Sequence, residues 1–128
     1  MRIGDYEIVK ELAHNGQMTV YLAHDPAGQQ VVVKALLPNG EVKKTQQQAF
    51  LREIAITTAL RHRNIVRYID SGCSNGLLYC VMAYCNGGTL RELLLKMGRT
   101  LTPEEALPMI GHVLRGLDYA HNAVVPSP

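Results

Sequence analysis

The chain has 128 residues, 47% of them apolar and 19% charged, with 11 Gly and 6 Pro, which is material for one small globular domain. Disorder, collagen and a membrane-spanning helix are excluded by that balance, since no apolar run approaches the roughly 20 residues a span needs. Thirteen Lys and Arg against eleven Asp and Glu leave a net charge of +2, too small and too scattered for a nucleic-acid footprint. The first residues, Met1-Arg2-Ile3-Gly4-Asp5, carry no secretory apolar stretch, so the expectation is a cytoplasmic chain with no nucleic-acid partner and no membrane span.

In chain order, the first third reads as three strands: Tyr6 to Leu12, Thr19 to Ala23 and Gln30 to Leu36, each rich in β-branched and aromatic residues. Turn chemistry separates and follows them at His14-Asn15-Gly16, Asp25-Pro26-Ala27-Gly28 and Pro38-Asn39-Gly40, so an antiparallel meander is expected. A polar stretch, Glu41 to Gln48, leads into a helix over Ala49 to Leu60, where Phe50, Ile54, Thr57 and Leu60 recur at steps of three and four. Two more strands, Ile65 to Ile69 and Leu77 to Tyr84, are joined through Ser71 to Gly76, whose Asn75-Gly76 marks a hairpin. After Asn86-Gly87-Gly88, Thr89 caps a short helix through Lys96. Thr102-Pro103-Glu104-Glu105 then has capping-box spacing with proline in the first turn. Ala106, Met109, Ile110, Val113, Leu117 and Ala120 trace an apolar stripe along that last helix, interrupted in register only by Pro108.

Cys73, Cys80 and Cys85 match no C-x-x-C spacing and their odd number argues against a disulfide framework, so they read as reduced thiols. The five histidines form no H-E-x-x-H or finger pattern, and no metal site is indicated. A lysine on the third strand followed by a glutamate on the next helix is a phosphate-handling layout, because the carboxylate can position the ammonium that grips the phosphates. Lys34 and Glu53 stand in those places, although taken alone a strand lysine and a helix glutamate read as solvated surface charges.

These segments together make residues 6 to 123 resemble the N-terminal half of a serine/threonine protein kinase domain. Leu12 to Tyr21 occupies the glycine-rich loop and runs into Val20-Tyr21-Leu22-Ala23, while Val31-Val32-Val33-Lys34 stands where V-A-I-K would be. Phe50-Leu51-Arg52-Glu53 looks like the family's αC segment, and Leu60 to Val66 is similar to L-x-H-P-N-I-V. Val81 to Leu90 resembles the hinge and its continuation; Leu101 to Ala106 and Gly116 to His121 resemble the αE helix. The resemblance implies an α+β fold: a kinase N-lobe over residues 1–85, with a five-stranded antiparallel sheet, αC and the hinge. The first helices of a C-lobe, αD and αE, would follow over 86–128, truncated before the catalytic loop.

By the same resemblance Lys34 and Glu53 are the catalytic pair, with Lys34 on the α/β-phosphates of ATP. The nucleotide would be bound by Leu12, Ala13, Asn15, Gly16, Val20, Val32, Lys34, Met82, Ala83 and Cys85. Val20 and Val32 would sandwich the adenine, Met82 would be the gatekeeper, and the backbones of Ala83 and Cys85 would meet the adenine edge. Bland roles compete for several of these: Val20 as strand core, Met82 as core filler. At the three glycine positions of the phosphate loop the chain has Ala13, Asn15 and Met18, keeping only Gly16 between them, and Val32 replaces the family's alanine. The sequence contains neither H-R-D-x-K-x-x-N nor D-F-G. The expectation is therefore the N-terminal portion of an ATP-dependent serine/threonine kinase, inactive as this chain alone, with Mg2+ engaged only if the C-lobe residues are supplied and a protein substrate only in the complete kinase. The alternative is a non-catalytic pseudokinase-like interaction module, associating through the exposed αE stripe.

Overall fold

The computed structural model describes residues 1–36 and 44–124. Among the described residues nine elements follow one another: β1 (Arg2–Ile3), β2 (Tyr6–Asn15), β3 (Met18–His24), β4 (Gln30–Leu36), α1 (Lys44–Thr58), β5 (Tyr68–Ser74), β6 (Leu77–Ala83), α2 (Leu90–Met97) and α3 (Pro103–Asn122). The strands make one antiparallel sheet in the order β1-β2-β3-β4-β6-β5.

Local chemistry explains the turns. Gly16 takes φ +59° between β2 and β3, while Asn75 and Gly76, at φ +51° and +80°, give the β5–β6 hairpin the two positive-φ residues of a type I′ turn. Between β3 and β4, the Asp25 side chain accepts from the Gln29 N–H at 2.8 Å, and its carbonyl accepts from the Gly28 N–H at 2.9 Å.

Strand alternation then sorts the side chains of β4 onto two faces. Val31, Val33 and Ala35 join Ile3, Tyr6, Ala23, Tyr79 and Val81 in one buried cluster. On the opposite face Leu36 packs with Phe50 and Ile54 of α1 and with Cys80, and Met18, Tyr68, Leu78 and Met82 close around them. Lys34 shares this second face, so the sheet sets its ammonium beside the helix.

Several expectations are corrected. The sheet has six strands rather than five, because Arg2–Ile3 pairs with Tyr6 and Glu7 and buries Ile3. The strand expected over Ile65 to Ile69 starts at Tyr68: the Ile65 N–H donates to the His62 carbonyl and the Asn64 N–H to His62 Nδ1, folding 62–65 into a turn. That strand runs on to Ser74, so the expected broad turn over Ser71 to Gly76 shrinks to two residues. Helix α1 begins at Lys44 within the polar stretch and ends at Thr58, leaving Leu60 beyond it. The Pro38-Asn39-Gly40 turn and the last four residues lie outside the described residues.

Both later helices start as their capping residues require. Thr89 accepts from the Glu92 N–H, and Thr102 with Glu105 completes a reciprocal capping box with Pro103 in the first turn. Gly98, at φ +69°, ends α2. Pro108 lies inside α3, where it removes one backbone bond, and the helix nevertheless continues to Asn122. Helix α3 docks on the loop before β5: the Arg61 N–H donates to the Tyr119 hydroxyl at 3.0 Å, and the His62 and Tyr119 rings sit 5.1 Å apart. Its apolar stripe faces outward, with Met109, Ile110, Val113 and Leu117 all exposed.

Candidate functional site

The register places side chains that face one another across neighbouring strands. Val20 of β3 pairs with Lys34 of β4, which pairs with Cys80 of β6, so the three share a row on the α1 side of the sheet. The next row holds Leu22, Val32, Met82 and Tyr68. From α1, Glu53 reaches down so that its Oε1 accepts from Lys34 Nζ at 3.2 Å. The lysine side chain keeps 24% of its exposure and the glutamate 50%. An ion pair this wet contributes little stability, on the order of 0–1 kcal/mol, so its consequence is placement of the ammonium rather than cohesion.

Two neighbours of this pair escaped the sequence reading. The Tyr68 hydroxyl donates to the same Glu53 Oε1 at 3.4 Å. Burial, reinforced by the nearby Cys80 and Glu53, pushes the Tyr68 phenol up to about 12. Cys80, buried behind Lys34, has its thiol pushed up to about 11 by burial, an effect the Lys34 ammonium partly offsets. Alternation alone could have flagged Cys80, two residues before Met82 on the same strand face. It could not have flagged Tyr68, whose facing depends on an irregularity in β5.

The other expected residues fall into separate groups. Asn15 and Gly16, at the β2–β3 turn, line a cavity of about 320 Å³ together with Met18, Leu36, Phe50 and Glu53. No atom lies within 4 Å of a Cβ built on Gly16, so the backbone there is open to approach. Leu12 and Ala13 are exposed on β2, Ala13 directly opposite Val20. Val32 is buried and Val20 half-buried in adjacent rows. Met82 packs against the Leu36–Phe50–Ile54–Cys80 cluster, so its core role is real. Ala83 and Cys85 line a different and wider cavity, about 700 Å³, bounded by residues 61–67. The Ala83 N–H is already committed to the Arg67 carbonyl at 2.9 Å. The structure thus pairs Lys34 with Glu53, puts Glu53 and the β2–β3 turn on one cavity, and sets the two hinge residues apart from it.

Among the described residues no group of three or more His, Cys, Asp and Glu side chains could hold a metal ion, and no helix is long and apolar enough to cross a membrane.

Comparison with known proteins identifies the family. The chain is 39% identical over 125 residues to a probable serine/threonine-protein kinase of Streptomyces coelicolor, covering 94% of this chain and 18% of that protein. It is 34% identical over 126 residues to the probable serine/threonine-protein kinase pknA2 of Bifidobacterium longum, covering 95% and 16%. The crystal structure of the Mycobacterium tuberculosis PknI kinase domain superposes with a TM-score of 0.72 at 26% identity, over 94% of this chain and 50% of that one. The chain therefore spans less than a fifth of the length of these curated relatives and half of the solved kinase domain. The family model for the protein kinase domain matches residues 6–126, nearly the whole sequence, and the chain belongs to that family.

Proposed function

We propose that this chain is the ATP-gripping N-terminal portion of an ATP-dependent serine/threonine protein kinase, which transfers the γ-phosphoryl group of ATP to protein Ser or Thr. One observation carries the reading: Lys34 and Glu53 are paired at 3.2 Å beside a cavity that the β2–β3 turn also lines. Residues 1–85 act as the N-lobe with its hinge, and residues 86–128 begin the second lobe.

In this reading Lys34 Nζ binds the α/β-phosphates as a point charge, and Glu53 keeps that ammonium from swinging into solvent. Asn15 and Gly16 bring backbone N–H groups over the phosphates; Asn tolerates left-handed backbone and Gly16 already adopts it, which offsets part of the missing glycine pattern. Val20 and Val32 enclose the adenine with Leu12 and Ala13 at the rim, and Met82 limits its depth. With its N–H spent on the sheet, Ala83 meets the adenine edge through its carbonyl, and Cys85 through its backbone. Among the described residues no group of three or more His, Cys, Asp and Glu side chains could hold Mg2+, and in this reading its ligands would come from the second lobe of the complete kinase. The aspartate that orients the substrate hydroxyl and the D-F-G aspartate are likewise absent from the sequence. This chain alone is accordingly expected to bind ATP without transferring phosphate.

Reading the transcript and genomic locus past codon 128 in all frames tests the proposal. H-R-D-x-K-x-x-N followed by D-F-G is expected; a stop with neither motif would overturn the enzyme reading. That second outcome favours an interaction module instead, a reading supported by the outward-facing stripe of α3. There Val113→Asp should abolish self-association, and an unchanged mass in light scattering would sink that alternative.

A further inference from the structure

An irregularity in β5 decides what touches Glu53. Tyr68 pairs with Met82 and Asp70 with Val81, so Ile69 is an extra residue, bulged out of the ladder. Without it, residues 68 and 70 would share a face. With it, Asp70 turns to the first cluster and accepts from the Tyr6 hydroxyl at 2.8 Å, while Tyr68 turns to α1. There the Tyr68 ring packs against the Leu36–Phe50–Ile54–Cys80 cluster, and its hydroxyl meets Glu53 and Thr57, which are one turn apart on α1. Thr57 is itself tied to that turn, its hydroxyl donating to the Glu53 carbonyl at 2.6 Å.

Glu53 is half exposed and long, so one contact with a flexible lysine leaves its carboxylate free to rotate away. A phenol packed against the margin of that cluster opposes this freedom, because its ring is held by packing and its hydroxyl lies within reach of Oε1. The 3.4 Å separation is long for an O–H···O bond and leaves room to tighten when the lysine engages a ligand. Phenylalanine would fill the same space without the donor.

We propose that Tyr68 is a positioning residue for the Lys34–Glu53 pair, its hydroxyl holding the Glu53 carboxylate against α1 where it can fix the Lys34 ammonium. The ATP consequence rests on the function proposed above; the placement of Glu53 does not. Two measurements on the 128-residue chain separate them. In the absence of nucleotide, the nuclear Overhauser contact between the Lys34 and Glu53 side chains should be present in the wild type and lost in Tyr68→Phe. Its survival at full strength in Tyr68→Phe, or its absence from the wild type, overturns the proposal.

With MgATP, Tyr68→Phe should weaken binding by about three- to ten-fold, the size of one ordinary net hydrogen bond, as befits a contact of 3.4 Å. It should add nothing in a Glu53→Ala background, which removes the acceptor, because Tyr68 acts through Glu53. Independent, additive losses would mean that Tyr68 acts by another route and overturn the proposal. A wild type that ignores MgATP would refute the ATP reading alone, with the nucleotide-free contact still deciding the role of Tyr68.

Discussion

Single side chains in this fold differ most in what surrounds them, and the three thiols show it. Cys80 is buried behind Lys34 and its thiol is pushed up to about 11, whereas Cys73 and Cys85 are exposed. Only a thiolate alkylates readily, so at pH 8 iodoacetamide should modify Cys73 and Cys85 and spare Cys80 until the chain is unfolded. Peptide mass spectrometry reads the three rates, and modification of Cys80 as fast as the others would contradict its placement. Glu105 is the opposite case, a partly exposed carboxyl held down to about 2, foremost by the Arg99 guanidinium that it binds at 2.7 Å and then by the Thr102 backbone and hydroxyl. Its folded value lies below the ordinary 4.5, so its contribution to the α3 cap is complete above about 4.5 and is lost as the pH falls toward 2. The Glu105 carboxyl carbon should titrate near 2 by NMR and shift upward in Arg99→Ala; an identical midpoint in the variant would refute the cause assigned here.

At the scale of elements, close approach of glycines to Tyr79 locks the edge of the sheet. A Cβ on Gly72 would stand 2.7 Å from the Tyr79 hydroxyl oxygen, and one on Gly4 would stand 2.5 Å from it, so the phenol fits only because both side chains are missing. Gly72→Ala should lower stability by about 1–3 kcal/mol in urea unfolding, the usual cost of overpacking, and a neutral result would show that the ring moves aside freely. Much of this architecture was legible in residue pattern: Val31-Val32-Val33-Lys34 alternates across two faces, Asn75-Gly76 makes its hairpin, and Thr102 with Glu105 makes its capping box. What pattern could not show is what tertiary contacts decide. Two residues, Arg2 and Ile3, are too short a run to read as a strand, yet pairing with Tyr6 and Glu7 makes them one. The bulge at Ile69 breaks the period of two, so Tyr68 could not be assigned to the face of Lys34. Ile65 and Val66 look like strand residues but serve the turn on which α3 rests.

Across the whole molecule, two halves of unequal character meet at that turn. The sheet with α1 has two buried clusters of its own. Helix α3 touches this body through a narrow seam, where a Cβ on Gly116 would come within 3.1 Å of the Asn64 carbonyl and Tyr119 accepts from the Arg61 N–H. The pairing of Lys34 with Glu53 was legible because family order supplied the partner; spacing alone leaves a strand lysine and a helix glutamate as ordinary surface charges. The grouping of the hinge residues was not, since Ala83 and Cys85 line another cavity from the one beside Glu53. If the Lys34–Glu53 pair grips nucleotide phosphates as proposed, titration of a fluorescent ATP analogue into the wild-type chain and Lys34→Met reads that grip most directly. Binding by the wild type that weakens about ten-fold or more in Lys34→Met, as loss of a charge-assisted contact requires, is the result predicted; equal affinity for the two proteins, or no binding by either, would contradict it.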